Sequence, residues 1–140
     1  MATFDFVSGN ISNNTTSAAS ISQIVSGITA TVTQSLGDVQ YFGVDHGIIT
    51  MDSALGVADA VMTVSFDAPV DISSLSIFVG QDQNNSSNIV ITPDSNADAQ
   101  SFIDTGTNVG ENTFLTSLDV SSFAGWDSVN SFTITYSFSG

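Results

Sequence analysis

The sequence contains no lysine and no arginine, although 14 of its 140 residues are acidic. Its formal net charge is therefore −14 at pH 7. A chain of average composition has about a quarter of its residues charged, and both signs are represented. Without cationic side chains the protein cannot neutralise phosphates, which argues against nucleic acids and anionic membranes as partners. Trypsin-like proteases have no cleavage site, which suits a protein outside the cell.

Cysteine is also absent, so the chain has neither a disulfide framework nor a thiolate metal site. No apolar run reaches the roughly 18 residues of a membrane-spanning helix, and we expect no membrane insertion. Hydrophobic residues still make up 41% of the chain, which is enough to form a core. We therefore expect residues 1–140 to form one domain. The lack of cysteine favours a secreted or cell-surface protein of bacterial origin.

The stretch Val61–Gly80 gives the clearest structural signal. Met62, Val64 and Phe66 alternate with smaller or polar residues, which predicts a strand with one buried face. A second alternating run follows from Ile72, and together the two runs predict a hairpin-like pair. Proline cannot donate a hydrogen bond within a sheet, so Pro69 is expected in a corner at Asp67–Val70.

Similar short runs recur along the rest of the chain. Strands are expected at Thr3–Val7, Ile28–Gln34, Val39–Phe42, Ile48–Met51, Ile89–Thr92, Gln100–Ile103, Asn112–Val120 and Ser131–Phe138. Ile21–Val25 is compatible with a strand or a helical turn, Ser8–Ala18 with a loop, and Ser121–Asp127 with a compact turn. Nine or ten short strands at a spacing of about ten residues predict an all-β fold. Such spacing is typical of a sandwich, a jelly roll or a small barrel, and we expect a two-sheet antiparallel β-sandwich that is jelly-roll-like.

One acidic segment has a spacing suited to cation binding. Asp94, Asn96 and Asp98 form a D-x-N-x-D pattern, in which alternate residues of a tight loop offer oxygen ligands, and Asp104 follows downstream. We predict these four residues as a Ca²⁺ site. It is not an EF-hand, because Ala99 and Thr105 replace the glycine and glutamate that an EF-hand needs. The alternative is a solvated loop rich in turn-forming residues.

Other polar motifs are less specific. Asp82–Ser86 is a looser version of the same pattern, with a polar hairpin tip as the alternative. Asp38, Asp45, Asp52 and Asp59 recur every seven residues, but intervening glycines oppose a helix that would align them. Asp45 precedes His46, and a carboxylate can orient an imidazole that acts as a general base. No G-x-S-x-G motif or second histidine accompanies the pair, and the alternative is a turn between two glycines. No acid–base pair for a glycosidase stands out, so we expect no enzymatic activity.

Aromatic residues could stack on a sugar ring, and Trp126 and Tyr41 are the candidates for ligand binding. The alternative for Trp126 is packing at the end of the sandwich. Edge strands without lysine also permit strand addition between subunits, although charge repulsion opposes it.

Three segments resemble secreted bacterial β-sandwich domains of surface adhesins, which are jelly rolls akin to galactose-binding-like and carbohydrate-binding modules. They are TFDF at Thr3–Phe6, VSFDAPVDISSLSI at Val64–Ile77 and NTFLTSLDVSSFAGWDSVNSFTITY at Asn112–Tyr136. The resemblance implies an extracellular sandwich, often with bound Ca²⁺ and sometimes with a glycan ligand.

The first functional hypothesis is thus a non-enzymatic extracellular module of a bacterial surface protein or adhesin, stabilised by Ca²⁺, with a structural or ligand-binding role. The second is a carbohydrate-binding module with an aromatic platform. The third is a subunit of a self-assembling surface filament, and a secreted hydrolase comes last.

Overall fold

A computed structural model describes residues 3–4, 10–12, 17–35, 39–41, 49–51, 60–81, 86–104 and 112–139. The first strands in these ranges are β1 (Asn10–Ser12), β2 (Ser17–Ala18), β3 (Ile21–Val25), β4 (Ile28–Gln34), β5 (Val39–Tyr41) and β6 (Ile49–Met51). They are followed by β7 (Ala60–Val70), β8 (Ser74–Gln81), β9 (Ser86–Pro93), β10 (Gln100–Asp104), β11 (Asn112–Asp119) and β12 (Val129–Ser139). A single-turn 3-10 helix, Ala124–Trp126, precedes β12. In these ranges no helix has the length and apolar character needed to cross a membrane.

The strands form three antiparallel sheets. The main sheet has seven strands in the order β1-β3-β4-β7-β12-β9-β10, the second pairs β11 with β8, and the third has the order β2-β5-β6. Consecutive strands β7 to β12 pair in a nested way, first with last: β7 with β12, β8 with β11 and β9 with β10. The chain therefore crosses from the main sheet to the second for β8, returns for β9 and β10, crosses again for β11 and returns for β12, as expected for a two-sheet sandwich. The predicted all-β antiparallel sandwich is confirmed.

The core lies on the inner face of the main sheet. Its buried members are Ile21, Ala30, Val32, Met62, Val64, Ile89, Ile91, Val120, Trp126, Val129 and Phe132. The second sheet covers this face with Leu75 and Leu118, which are direct partners across β8 and β11 and pack against the core. Burial of Met62 and Val64 confirms the alternation predicted for this strand.

The corner predicted at Asp67–Val70 is wrong, because β7 continues through Pro69 and ends at Val70. In the pairing of β7 with β12, Ser65 lies opposite Ser131 and Val70 lies opposite Val129. The four β7 residues 66–69 therefore correspond to a single β12 residue, Asn130. Such an irregularity interrupts the ladder, and a proline is tolerated there because its missing N–H is not needed.

The predicted hairpin-like pairing of β7 with the following strand is also wrong. β7 pairs with β4 and β12, whereas β8 pairs with β11 in the other sheet. The linking residues 71–73 are held by distant parts of the chain: the Ile72 N–H donates to the Trp126 carbonyl at 2.9 Å, and the Ser73 carbonyl accepts from the Val120 N–H at 2.9 Å.

Three shorter segments have the following structures. The segment Ile21–Val25 is a strand, and the compact turn before β12 contains the 3-10 helix. The expected loop Ser8–Ala18 includes the short strands β1 and β2, which helps to raise the number of strands to twelve within the described ranges. Three of the five residues of the first expected strand, residues 5–7, lie outside those ranges.

Candidate functional site

Two chain segments that carry Asp94, Asn96, Asp98 and Trp126 of the predicted site residues lie against each other. The turn 94–99, between β9 and β10, packs against the 3-10 helix Ala124–Trp126. We call these two segments the Trp126 corner. Two hydrogen bonds join them: the Gly125 N–H donates to Asp98 Oδ2 at 2.8 Å, and Trp126 Nε1 donates to the Asp98 carbonyl at 2.9 Å. Asp98 thus fixes the helix with its side chain and its main chain.

Close contact in the Trp126 corner requires a glycine at position 125. A Cβ atom built there would overlap the carbonyl oxygen of Ala97 and lie 2.8 Å from Asp98 Oδ2. The Gly125 carbonyl also accepts a hydrogen bond from Ser95 Oγ at 2.9 Å. The backbones therefore approach more closely than any side chain at this position would allow.

The D-x-N-x-D spacing has a local structural explanation. Asn96 and Asp98 both have positive φ angles, +60° and +58°. Asparagine and aspartate tolerate this left-handed conformation better than most residues. The Asn96 N–H donates to the Pro93 carbonyl at 2.9 Å, which closes the turn directly after β9. The pattern therefore provides turn-forming residues at the positions where the backbone needs them.

Asp94 connects the same turn to the start of β12. Its N–H donates to the Ser131 carbonyl at 2.9 Å. Its carboxylate accepts from Asn130 Nδ2 at 3.2 Å and lies 3.4 Å from the Asn130 backbone nitrogen. Asp94 and Asp98 thus accept hydrogen bonds from different segments, Asp94 from β12 and Asp98 from the 3-10 helix.

Not all four predicted Ca²⁺ ligands come together. Asp94, Asn96 and Asp98 share one turn, but Asp104 is the last residue of β10, paired with Ser87. Asp104 lies four residues beyond Gln100, the first residue of β10 after the turn, a distance of about 13 Å at the usual rise per residue. Across the described ranges, no three acidic or histidine side chains converge as a metal-binding group. The turn alone offers two carboxylates, one amide oxygen and backbone carbonyls as oxygen donors.

Three further aspartates accept backbone hydrogen bonds, Asp67 within β7 and the other two at strand ends. Asp67 Oδ1 accepts from the Thr29 N–H at 2.9 Å, and Asp71 Oδ1 accepts from the Ser128 N–H at 2.8 Å. Ser128 has a positive φ of +53°, and the Asp71 contact holds it beside the 3-10 helix. Asp119 Oδ1 accepts from both the hydroxyl and the N–H of Ser121, at 2.6 and 3.0 Å. Carboxylates take the role at these junctions that salt bridges cannot take in a chain without lysine or arginine.

The Asp119 contacts predict a pH dependence. The Ser121 hydroxyl, and then the Ser121 N–H, lower the pKa of Asp119 from its ordinary value of 3.8, against a small opposing effect of desolvation. A carboxyl group whose pKa is lower in the folded than in the unfolded protein stabilises the fold. This stabilisation is complete at a pH above the unfolded-state pKa, and it is lost as the pH falls through the folded-state pKa. The difference in unfolding free energy between the wild type and Ser121→Ala should therefore be largest near neutral pH and shrink below pH 3.8. Urea unfolding across this pH range measures it, and a difference that persists unchanged in acid would contradict the role of Asp119.

Trp126 is fully buried in this structure, in agreement with the packing alternative. Its ring centroid lies 5.8 Å from that of Phe132, whose ring in turn lies 6.2 Å from that of Phe66. The indole presents no face to solvent on which a sugar could stack. The backbone of Tyr41 ends β5 opposite Ile49, and its side chain lies outside the described part of the structure.

The remaining acidic motifs also fall outside the described residues. These are Asp38, Asp45, His46, Asp52 and Asp59, together with 82–85 of the Asp82–Ser86 segment. Sequence reasoning missed the partners of the described aspartates, namely Gly125, Ser128 and Asn130. The glycine before Trp126 was a usable signal of a close backbone approach, whereas nothing local marks the two others.

The nested strand pairs and the packed corner define a class: this is an all-β protein with an antiparallel β-sandwich architecture. No family model matches the sequence, and comparison with curated proteins and with solved structures found no match.

Proposed function

We propose that the chain is a non-enzymatic, extracellular β-sandwich module of a bacterial surface protein or adhesin, with Ca²⁺ as a stabilising ion. The observation that carries the proposal is the use of aspartates in the described structure. Asp67, Asp71, Asp94, Asp98 and Asp119 accept hydrogen bonds from backbone or side-chain donors of neighbouring strands, turns and the 3-10 helix. Because these carboxylates are engaged in hydrogen bonds that hold segments of the fold together, they support a structural role for the module.

The absence of basic residues supports an extracellular setting. A compact sandwich without lysine or arginine gives trypsin-like proteases no cleavage site even when loops open. A net charge of −14 also keeps copies apart and soluble when many modules are displayed close together. An antibody against the purified chain tests this setting: intact cells of the source organism should be labelled, and labelling only after lysis would contradict the proposal.

The proposed Ca²⁺ position is the turn of the Trp126 corner. Ca²⁺ accepts carboxylate, amide and carbonyl oxygens together, and Asp94, Asn96 and Asp98 offer the first two kinds within one turn. The two carboxylates have no cationic side chain anywhere in the sequence to offset them except His46. A bound divalent cation would reduce their repulsion and hold the turn against β12 and the 3-10 helix.

Thermal and urea unfolding in excess EDTA, millimolar CaCl₂ and millimolar MgCl₂, at matched ionic strength, test the ion. A ligand that binds only the native state stabilises it by about 2.7 kcal/mol at 100 times its dissociation constant. We expect Ca²⁺, and not Mg²⁺, to raise the unfolding midpoint of the wild type. The rise should disappear in Asp94→Asn and persist in Asp127→Asn, which removes the same charge at the end of the 3-10 helix. Identical midpoints in EDTA and Ca²⁺ would show that the turn is stable without an ion.

A further inference from the structure

The outer face of the main sheet, opposite the core, has a regular chemical pattern. Strand pairing places side chains of neighbouring strands side by side in rows across the sheet. One row consists of Thr33, Thr63, Thr133 and Thr92 on β4, β7, β12 and β9. The adjacent row consists of Ser22, Thr31, Ser65 and Ser131 on β3, β4, β7 and β12. We call these eight side chains the hydroxyl grid, because every position in both rows is serine or threonine.

Antiparallel pairing fixes the spacing of the hydroxyl grid. Directly paired residues have Cβ atoms about 4.5–5.5 Å apart across the strands. Residues two positions apart along one strand are separated by about 6.7 Å and lie on the same face. Thr33 and Ser65 are exposed and the other six are half-buried, while the intervening residues, such as Val32, Val64 and Phe132, are buried. The result is a two-dimensional array of hydroxyl groups on a backing of packed apolar side chains.

The hydroxyl grid is uncharged in a strongly acidic protein. Five of the six described aspartates whose side chains are placed lie at strand ends and turns: Asp71, Asp94, Asp98, Asp119 and Asp127. The sixth, Asp67, lies within β7 two residues beyond Ser65, at the border of the grid, and its carboxylate accepts a hydrogen bond from the Thr29 N–H. A neutral array does not attract ions, and the grid contains no aromatic ring on which a sugar could stack. Its five threonines add methyl groups beside the hydroxyls, and water next to such groups is restricted in its orientation.

We propose that the hydroxyl grid binds ice. Ice presents water oxygens in a two-dimensional repeat, with spacings comparable to those between paired strands and between alternate residues of one strand. Hydroxyls at these spacings hydrogen-bond to lattice waters, and the threonine methyl groups order the waters between them. The net charge of −14 opposes contact between copies and so leaves the grid free for a surface. This ligand goes beyond the proposed structural role and does not depend on Ca²⁺ binding to the turn.

Thermal hysteresis and the shape of single ice crystals in solutions of the purified chain test the proposal. The wild type should produce faceted crystals and a freezing point below the melting point, in contrast to serum albumin at equal mass concentration. Thr133→Lys places a long charged side chain between Thr63 and Thr92 and should lower the hysteresis at least tenfold. Thr33→Lys, at the exposed end of the same row, is a second variant in case Thr133→Lys fails to fold, as judged by thermal unfolding.

Ser73→Lys is the matched control, because it adds the same charge at an exposed residue between β7 and β8, outside the grid. Its hysteresis should equal that of the wild type. Rounded crystals with no hysteresis in the wild type, or full activity in a folded Thr133→Lys protein, would overturn the proposal. Pelleting with crystalline cellulose or chitin that Thr133→Lys abolishes would assign the face to a polysaccharide instead. A dimer in sedimentation that the same substitution dissociates would assign it to a second copy.

Discussion

Replacement of Trp126 by alanine is expected to lower the free energy of unfolding by about 3–5 kcal/mol, the usual cost of removing a large aromatic side chain from a core. The indole is fully buried and packs on Phe132, and its Nε1 donates to the Asp98 carbonyl. Its loss leaves a cavity where the 3-10 helix, β12 and the 94–99 turn meet. Domains of ordinary stability have about 5–15 kcal/mol in total, so the variant loses between about a fifth and nearly all of its stability.

Urea unfolding followed by far-ultraviolet circular dichroism measures this loss, since the variant has no tryptophan left for fluorescence. Phe123→Ala is the matched control. Phe123 stands just before the same helix but is 38% exposed, so its truncation should cost about 1 kcal/mol or less. Equal effects of the two substitutions would show that burial of the indole contributes little to stability.

Asp98→Ala is expected to have the second-largest effect. Removal of the carboxylate leaves the buried Gly125 N–H without its acceptor, at a cost of about 1–3 kcal/mol. Alanine at a φ of +58° adds about 1–2 kcal/mol of backbone strain. The expected loss of unfolding free energy is therefore a few kcal/mol, although the substitution removes one negative charge from a chain that has a large excess of them.

Two further variants separate these contributions. Asp98→Asn keeps both an oxygen acceptor and tolerance of the left-handed backbone, so its loss should be well below that of Asp98→Ala. Asp127→Ala removes the same charge at the end of the same helix and corrects for the relief of repulsion. If Asp98→Ala were no less stable than Asp127→Ala, the contact with Gly125 would be unimportant for the fold.

The sequence predicted those parts of the fold that depend on local periodicity. The alternation around Met62, Val64 and Phe66 correctly assigned the inner face of β7, because side-chain direction reverses at every residue of a strand. The pairing of that strand was not predicted. A short link between two strands is typical of a hairpin, but residues 71–73 instead carry the chain to the second sheet, where distant residues Trp126 and Val120 hold them.

The turn 94–99 shows the same limit at the candidate site. Asn96 and Asp98 are residue types that favour turns, so a polar loop after β9 was predictable. Their partners were not, because Gly125 and Asn130 lie 27 and 36 residues further along the chain from Asp98 and Asp94. Hydrogen bonds of this separation depend on the nested strand pairing, which leaves no local pattern in the sequence.

Nested pairing also constrains how the chain can fold during its synthesis. β12 lies between β7 and β9 in the main sheet, yet it is the last strand along the chain in the described structure. Until β12 emerges from the ribosome, both neighbours expose an unpaired edge and an uncovered apolar face. Contacts of such large sequence separation form late and slowly, because the intervening loop must close first. Between the synthesis of β7 and that of β12 the nascent chain is therefore open to aberrant strand pairing, and the mutual repulsion of its aspartates opposes such pairing throughout that interval.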